Sequence, residues 1–155
     1  MIHQLRSFLV ILLWAPPCAL AILLLGAVGG PSAGYPLYRF WARTSWWLAG
    51  IRLRVERAPN DARARIFVCN HPSPMDPLWL MAVIHGRMAA VAKQEISRMP
   101  VIGGILRASG WIFLDRSDRQ AAIRSLERAL KRLQQGDSVL LFPEGKRSEI
   151  GRAHV

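Results

Sequence analysis

The sequence predicts an α/β domain, a mainly parallel sheet flanked by helices, preceded by an apolar helical segment. Three observations predict it. Short apolar, partly β-branched runs alternate with helical stretches from Arg65 onward, and strands joined by helices pair in parallel because each crossover needs a helix. Each apolar run ends in a residue able to do chemistry or hold an anion. The stretch from Phe8 to Gly30 carries no charge. At 155 residues the chain has room for one domain and a small appendage. We place the boundary so that 1–50 is a membrane-embedded or interfacial helical segment and 51–155 is the α/β domain.

The uncharged stretch from Phe8 to Gly30 is rich in Leu, Ile, Val and Ala, and about 20 such residues suffice to cross a bilayer as one helix. Pro16-Pro17 removes backbone donors in its middle and is expected to kink or break it, and Gly26, Gly29, Gly30 and Pro31 end it. A straight span and a bent, membrane-embedded hairpin are both compatible with this pattern; a signal peptide is the competing reading, without a convincing small-x-small cleavage site before a secreted domain. Between Tyr35 and Leu53, Tyr35, Tyr38, Trp41, Trp46 and Trp47 are interleaved with Arg39, Arg43 and Arg52. That mixture is expected in a headgroup layer, with rings at the interface and guanidinium groups on phosphates.

The α/β part reads in order. Arg65-Ile66-Phe67-Val68-Cys69 is a buried strand. Ser73 suits an N-cap, Pro74 a first helical position and Asp76 the third, so a helix runs from Pro74 to Ile84 behind a Ser-x-x-acid capping pattern. Met88 to Ala92 is a second strand, ending at Lys93. Pro100 to Ala108 is helical, with Gly110 near its end, and Trp111 to Leu114 is a third strand, ending at Asp115-Arg116. Ser117 and Gln120 form a second capping box, opening a helix whose buried face is Ile123, Leu126, Leu130 and Leu133 and which Gly136 closes. Val139 to Phe142 is the fourth strand, followed by Pro143-Glu144-Gly145.

The run Asn70-His71-Pro72-Ser73-Pro74-Met75-Asp76 carries the chemistry. Positions five apart sit about 140° around a helix axis, so one continuous helix would not aim His71 at Asp76. With His71 on the turn and Asp76 in the first turn of the helix, the carboxylate can hold one ring nitrogen and leave the other free to accept a proton. Asp76 as a simple helix cap and His71 as an ordinary turn histidine are the bland alternatives. His71, Lys93, Arg116, and Glu144 with Lys146 and Arg147 all follow strands. In an open α/β sheet that edge is where ligands bind, so together they make a basic pocket with a histidine, suited to a phosphorylated substrate.

Charge points the same way. Lys and Arg number 21 against 10 Asp and Glu, a formal net charge of +11, and 18 of the 21 are arginine. Such a balance needs an anionic partner, nucleic acid or an acidic membrane surface. No finger, helix-turn-helix or aromatic RNA-binding signature is present, so the membrane is preferred and no nucleic-acid partner is expected. The excess of basic residues after the apolar segment puts the globular part on the cytoplasmic side of the cell membrane. Cys18 and Cys69 form neither an expected disulfide nor a metal site.

Three blocks resemble the glycerolipid acyltransferase family typified by 1-acyl-glycerol-3-phosphate acyltransferase. They are Asn70-His71 through Asp76, matching the family's Asn-His-x-x-x-x-Asp; Lys93-Gln94-Glu95 through Pro100 and Gly103 to Gly110-Trp111-Ile112-Phe113-Leu114-Asp115-Arg116; and Phe142-Pro143-Glu144-Gly145-Lys146-Arg147-Ser148. The third departs from the family at Lys146, where threonine is usual. The resemblance implies His71 as general base on the free hydroxyl of a lysophospholipid, with Asp76 orienting it. Attack would be direct on the thioester of acyl-CoA or acyl-carrier protein, with no acyl-enzyme and no metal or other cofactor. It implies that Arg116, Glu144, Gly145 and Arg147 hold the glycerol phosphate, with Lys93 at the same pocket. 1-Acyl-glycerol-3-phosphate is the first choice of acceptor, giving phosphatidic acid; a lyso-ornithine lipid or another lysophospholipid is compatible. Family domains continue past the third block, so the α/β domain is expected to lack C-terminal strands and to leave one edge open.

Two rival functions follow from the same residues. Cys69 and His71 would share a face of a strand, which permits a thiol–imidazole pair and an acyl-enzyme. A basic, membrane-anchored module that binds anionic lipid without turnover, an inactive or degenerate acyltransferase, is the other. No Gly-x-Ser-x-Gly elbow or nucleotide-binding glycine pattern supports a serine hydrolase, kinase or dehydrogenase.

Overall fold

The structure, a computed structural model, describes residues 2–52, 54–56, 61, 63–71, 73–115 and 118–143. Among these, β1 (Ile66–Val68), β2 (Met88–Lys93), β3 (Ile112–Leu114) and β4 (Ser138–Leu141) form one sheet in the order β1-β4-β2-β3. All three pairings are parallel, with Ile66 opposite Val139, Met88 opposite Ser138 and Val91 opposite Ile112. The strands lack a strict polar alternation because helices cover both faces. On one face Phe67, Met88, Ala90 and Leu140 pack with Met81 of α3 (Asp76–Val83) and Ile105 of α4 (Ile102–Ala108). On the other, Ala89, Ile112 and Val139 pack against Ala129 of α5 (Arg119–Gln134). The expected α/β class and all four strands are therefore present.

The N-terminal segment is a hairpin of helices. It comprises α1 (Ile2–Leu9), a π-helical turn (Val10–Trp14) and α2 (Ala15–Ala49), and α2 is interrupted at Gly30, whose φ of 66° and ψ of −167° reverse the chain. Only glycine adopts that conformation without strain. The arms 2–29 and 31–49 run back along each other: the Trp14 indole donates to the Thr44 hydroxyl at 3.0 Å, and Trp14 meets Phe40 edge-on. The break expected at Pro16-Pro17 is not there. These prolines occupy the first positions after the π turn, where a missing N–H is least costly, and the chain turns at Gly30-Pro31 instead. By length and composition the helix is apolar enough to cross a membrane, and its outer face bears exposed Phe8, Ile11, Leu13, Leu24 and Val28.

Glycines set the hairpin on the domain. A Cβ at Gly26 or Gly34 would collide with Ala108 of α4, so both arms approach the end of that helix at backbone distance. The inner face of the second arm then joins the main core. Tyr35 and Tyr38 are 3% exposed and Trp46 is 7% exposed. This corrects their assignment to a headgroup layer: of those aromatics only Trp47, at 78%, faces outward. The aromatic-arginine pattern is the same for an interfacial belt and for a helix packed on a sheet domain, and the glycine contacts decide between them.

Two further expectations are revised at α5. Its cap is Asp118, whose carboxylate accepts from the N–H groups of Gln120 and Ala121; Ser117 lies outside the described residues. Its buried face is Ser125 and Ala129 with part of Leu133, whereas Ile123, Leu126 and Leu130 are exposed. The helix sits so close to the sheet that small residues face it, and Ser125 Oγ donates to Phe113 O at 3.0 Å. The edge strand β1 is expected from sequence to be buried, but only Phe67 faces the core, and Ile66 and Val68 are exposed on the α5 face.

Asp137 ties the opposite end of the sheet. Its buried carboxylate accepts from Arg87 Nε at 2.7 Å and Arg132 Nε at 2.6 Å, and Arg87 also reaches Ser32 in the hairpin at 2.9 Å. Burial alone would push the Asp137 carboxyl up, but the two guanidinium groups outweigh it and hold the group below the usual carboxylate range. A lowered folded value means the clamp stabilises above about pH 4 and is lost as pH falls through that folded value. Asp137→Asn should therefore cost about 1–2 kcal/mol at neutral pH, with the gap to wild type closing under acid. Chemical denaturation at several pH values measures both. Gly34→Ala should cost about 1–3 kcal/mol through overpacking, read as a lowered Tm in detergent.

Candidate active site

Because the strands are parallel, their C-terminal ends meet at one edge, and the residues there line a cavity of about 1030 Å³. His71 follows β1, Lys93 and Leu114 end β2 and β3, and Phe142 and Pro143 follow β4; all five face the cavity. The rest of the wall is almost entirely apolar. Tyr38 and Trp41 come from the second arm of the hairpin, and Ile96, Met99, Ile102 and Ile105 from the turn and helix around α4. A long hydrocarbon chain fits such a lining, and a polar reaction fits only the His71 end.

The histidine is held from two sides. Its Nδ1 lies 2.9 Å from Asp76 Oδ2, and its ring stacks on Phe142 with centroids 4.3 Å apart and planes 28° from parallel. A carboxylate can only accept, so Nδ1 is the donor in this pair and Nε2 is the ring nitrogen turned away from it. Both side chains are about one-fifth exposed, at 22% and 20%. The turn that brings them together is built by the same carboxylate. Asp76 Oδ2 also accepts from Ser73 N–H at 2.8 Å, and Ser73 Oγ accepts from Met75 N–H at 3.2 Å. Only the reach-back half of the expected capping box is made: the helix starts at Asp76 rather than Pro74, its N-cap is Met75 with no side-chain cap bond, and the Asp76 N–H donates to the Ser73 backbone carbonyl. Both contacts fall on one oxygen atom, so Asp76 shapes the turn and holds the ring at once.

Of the residues singled out by sequence, the structure brings His71, Asp76 and Lys93 to one site. Lys93 is exposed and has no hydrogen-bond or ion-pair partner among the described residues. Arg116, Glu144, Gly145 and Arg147 lie outside the described residues, as do Pro72 and Lys146. Cys69 is not in the cavity wall. It packs with the main core, and burial, aided by the Asp76 charge, pushes its thiol up, which disfavours a thiolate nucleophile. Among the described residues no group of three or more His, Cys, Asp and Glu could hold a metal ion.

Sequence reasoning missed the stacking role of Phe142 and the cavity walls. Phe142 reaches His71 because β4 pairs with β1, placing Leu141 beside Val68. Nothing in the sequence separates that pairing from other strand orders. Tyr38 and Trp41 were visible as aromatics but belong to the site only because the hairpin packs on α4.

Comparison with known proteins agrees with this geometry. A family model described as Acyltransferase matches residues 51–154. The 1-acyl-sn-glycerol-3-phosphate acyltransferase of Limnanthes douglasii is 32% identical over 107 residues, covering 68% of this chain and 38% of that protein. The lyso-ornithine lipid O-acyltransferase of Rhizobium meliloti is 31% identical over 116 residues, covering 75% of this chain and 39% of that protein. The chain thus spans less than half the length of these relatives. The crystal structure of the 1-acyl-sn-glycerophosphate acyltransferase PlsC from Thermotoga maritima superposes with a TM-score of 0.64 at 23% identity, over 95% of this chain and 61% of that one, which supports the fold. With a family model over two thirds of its length and a histidine–aspartate pair at the mouth of an apolar cavity, this chain belongs to the acyltransferase family.

Proposed function

We propose that the chain carries out O-acyl transfer from a fatty acyl thioester to the free hydroxyl of a lysophospholipid, with 1-acyl-glycerol-3-phosphate as the first choice of acceptor and phosphatidic acid as product. The observation that carries this is the His71–Asp76 pair at 2.9 Å, at the polar end of an otherwise apolar cavity. His71 Nε2 takes the proton from the acceptor hydroxyl as its oxygen attacks the thioester carbonyl. Asp76 keeps the ring in the tautomer with Nε2 free and stabilises the imidazolium that forms. Collapse of the tetrahedral intermediate breaks the C–S bond, and the departing thiolate takes the proton back from His71. The proton balance closes on one residue, so no acyl-enzyme is required and no cofactor beyond acyl-CoA or acyl-carrier protein is called for.

Binding follows the same division. The apolar cavity accepts an acyl chain. Lys93, together with Arg116, Arg147, Glu144 and Gly145, would hold the acceptor's phosphate and glycerol, arginine by bidentate bonds. A lyso-ornithine headgroup presents different charges, and the choice of acceptor rests with these residues. The apolar hairpin would seat the domain on the cell membrane where acceptor and product reside, with the site on the cytoplasmic side.

The test is transfer of labelled acyl groups from acyl-CoA to lysophosphatidic acid in membranes containing the full chain. His71→Ala should lower kcat by about 10³-fold or more with unchanged abundance. Asp76→Asn should lower it by about 10²–10⁴-fold, because the amide can leave the imidazole in the wrong tautomer. Equal turnover in wild type and His71→Ala would overturn the mechanism. Cys69→Ala should retain full activity, and its loss in a folded protein would revive the thiol route. Lysolipid binding without turnover in any form would favour a binding module.

A further inference from the structure

One apolar surface is left over by the proposed reaction. It is the turn between the 3₁₀ helix Gln94–Arg98 and α4. Arg98, Met99, Pro100, Val101 and Ile102 are exposed in succession, with Met99 at 45%, Val101 at 60% and Ile102 at 46%. Val101 has φ 61° and ψ −57°, and no other non-glycine residue among those described has a positive φ. Ile102 N–H donates to Pro100 O at 2.6 Å, closing a tight three-residue γ-turn around it. A β-branched residue in that conformation is strained, and here it holds an apolar side chain out in water.

Three features say what covers this tip. Met99 and Ile102 also line the active-site cavity, as does Met75, itself 45% exposed, so the tip is the rim of the cavity mouth. Next, α4 runs beside the first arm of the hairpin. A Cβ at Gly104 would meet Leu23, and Gly26 meets Ala108, so the start of α4 extends the apolar face that carries exposed Leu20 and Leu24. Finally, Arg98 and Lys93 flank the tip, exposed and unpartnered among the described residues, as cations facing an anionic surface would be.

We propose that Arg98–Ile102 is a second membrane-insertion point. It dips Met99, Val101 and Ile102 into the hydrocarbon of an anionic leaflet, so that the cavity mouth opens into the bilayer. The proposal rests on the membrane placement of the hairpin given above. An acyl chain then enters the cavity without crossing water, and Arg98 sits at the level of the lipid phosphates. The bilayer is preferred over a protein partner because the tip continues a hairpin face already long and apolar enough for lipid.

The experiment uses an environment-sensitive fluorophore on single cysteines in the Cys18→Ser, Cys69→Ser chain, bound to vesicles of phosphatidylcholine with phosphatidylglycerol. Probes at Val28→Cys on the hairpin and Val101→Cys on the tip should both shift to the blue and be quenched by lipid-borne quenchers. A probe at Glu127→Cys on α5, on the opposite face of the sheet, should stay aqueous. An aqueous probe at 101 with an immersed probe at 28 would overturn the insertion point and leave the hairpin's role intact. Aqueous probes at both would overturn the membrane placement as well. None of these readouts needs turnover, so they stand apart from the acyltransferase test. Arg98→Glu should weaken partitioning into these vesicles about fivefold or more, and much less into phosphatidylcholine alone. Val101→Gly, which relieves the strained φ, should keep or raise Tm yet lower partitioning severalfold. Unchanged partitioning of Val101→Gly would count against insertion.

Discussion

Much of this structure depends on the close approach of Gly26 and Gly34 to Ala108. Both arms of the hairpin meet the C-terminal end of α4 at a separation that any side chain on either glycine would forbid. That contact turns an apolar segment from a loose anchor into a wall of the domain. It buries Tyr35, Tyr38 and Trp46 in the core and brings Tyr38 and Trp41 to the cavity. It also fixes which face of the hairpin stays apolar and exposed. The cavity and the exposed apolar surface are thus two sides of one packing event.

The two ends of the sheet are secured differently. At the N-terminal edge, Asp137 joins the approaches to β2 and β4, the end of α5 and the hairpin through Arg87 and Arg132. At the C-terminal edge, Asp76 holds a turn and the His71 ring with a single oxygen. The first is a structural ion cluster whose charges satisfy each other. The second leaves the opposite ring nitrogen of His71 without a partner among the described residues.

Membership of the acyltransferase family and the geometry of the site reinforce each other from independent directions. The family model matches on sequence alone, whereas the cavity and the stacked histidine are tertiary facts. The exposed apolar residues of the hairpin and those of the turn at Met99–Ile102 adjoin each other, because α4 packs along the first arm.

By itself the sequence determined the α/β class, the four strands, and the pairing of His71 with Asp76. These rest on local chemistry: apolar runs such as β2 and β4 that a sheet covered on both faces buries, and a Ser-x-x-Asp turn whose carboxylate lies within reach of the preceding histidine. It misplaced the hairpin bend, because prolines at the start of a helix cost little and Gly30 accepts a conformation that Pro16-Pro17 need not provide. It misjudged the face of α5, because helix–sheet distance, not residue size alone, selects Ser125 and Ala129 over Ile123, Leu126 and Leu130. Only the tertiary structure decided that β4 lies beside β1, that Phe142 stacks on His71, and that Tyr38 and Trp41 of the second arm line a cavity rather than a headgroup layer. Each of those depends on contacts between residues far apart in the chain, and periodicity along a sequence carries no record of which distant surfaces will meet.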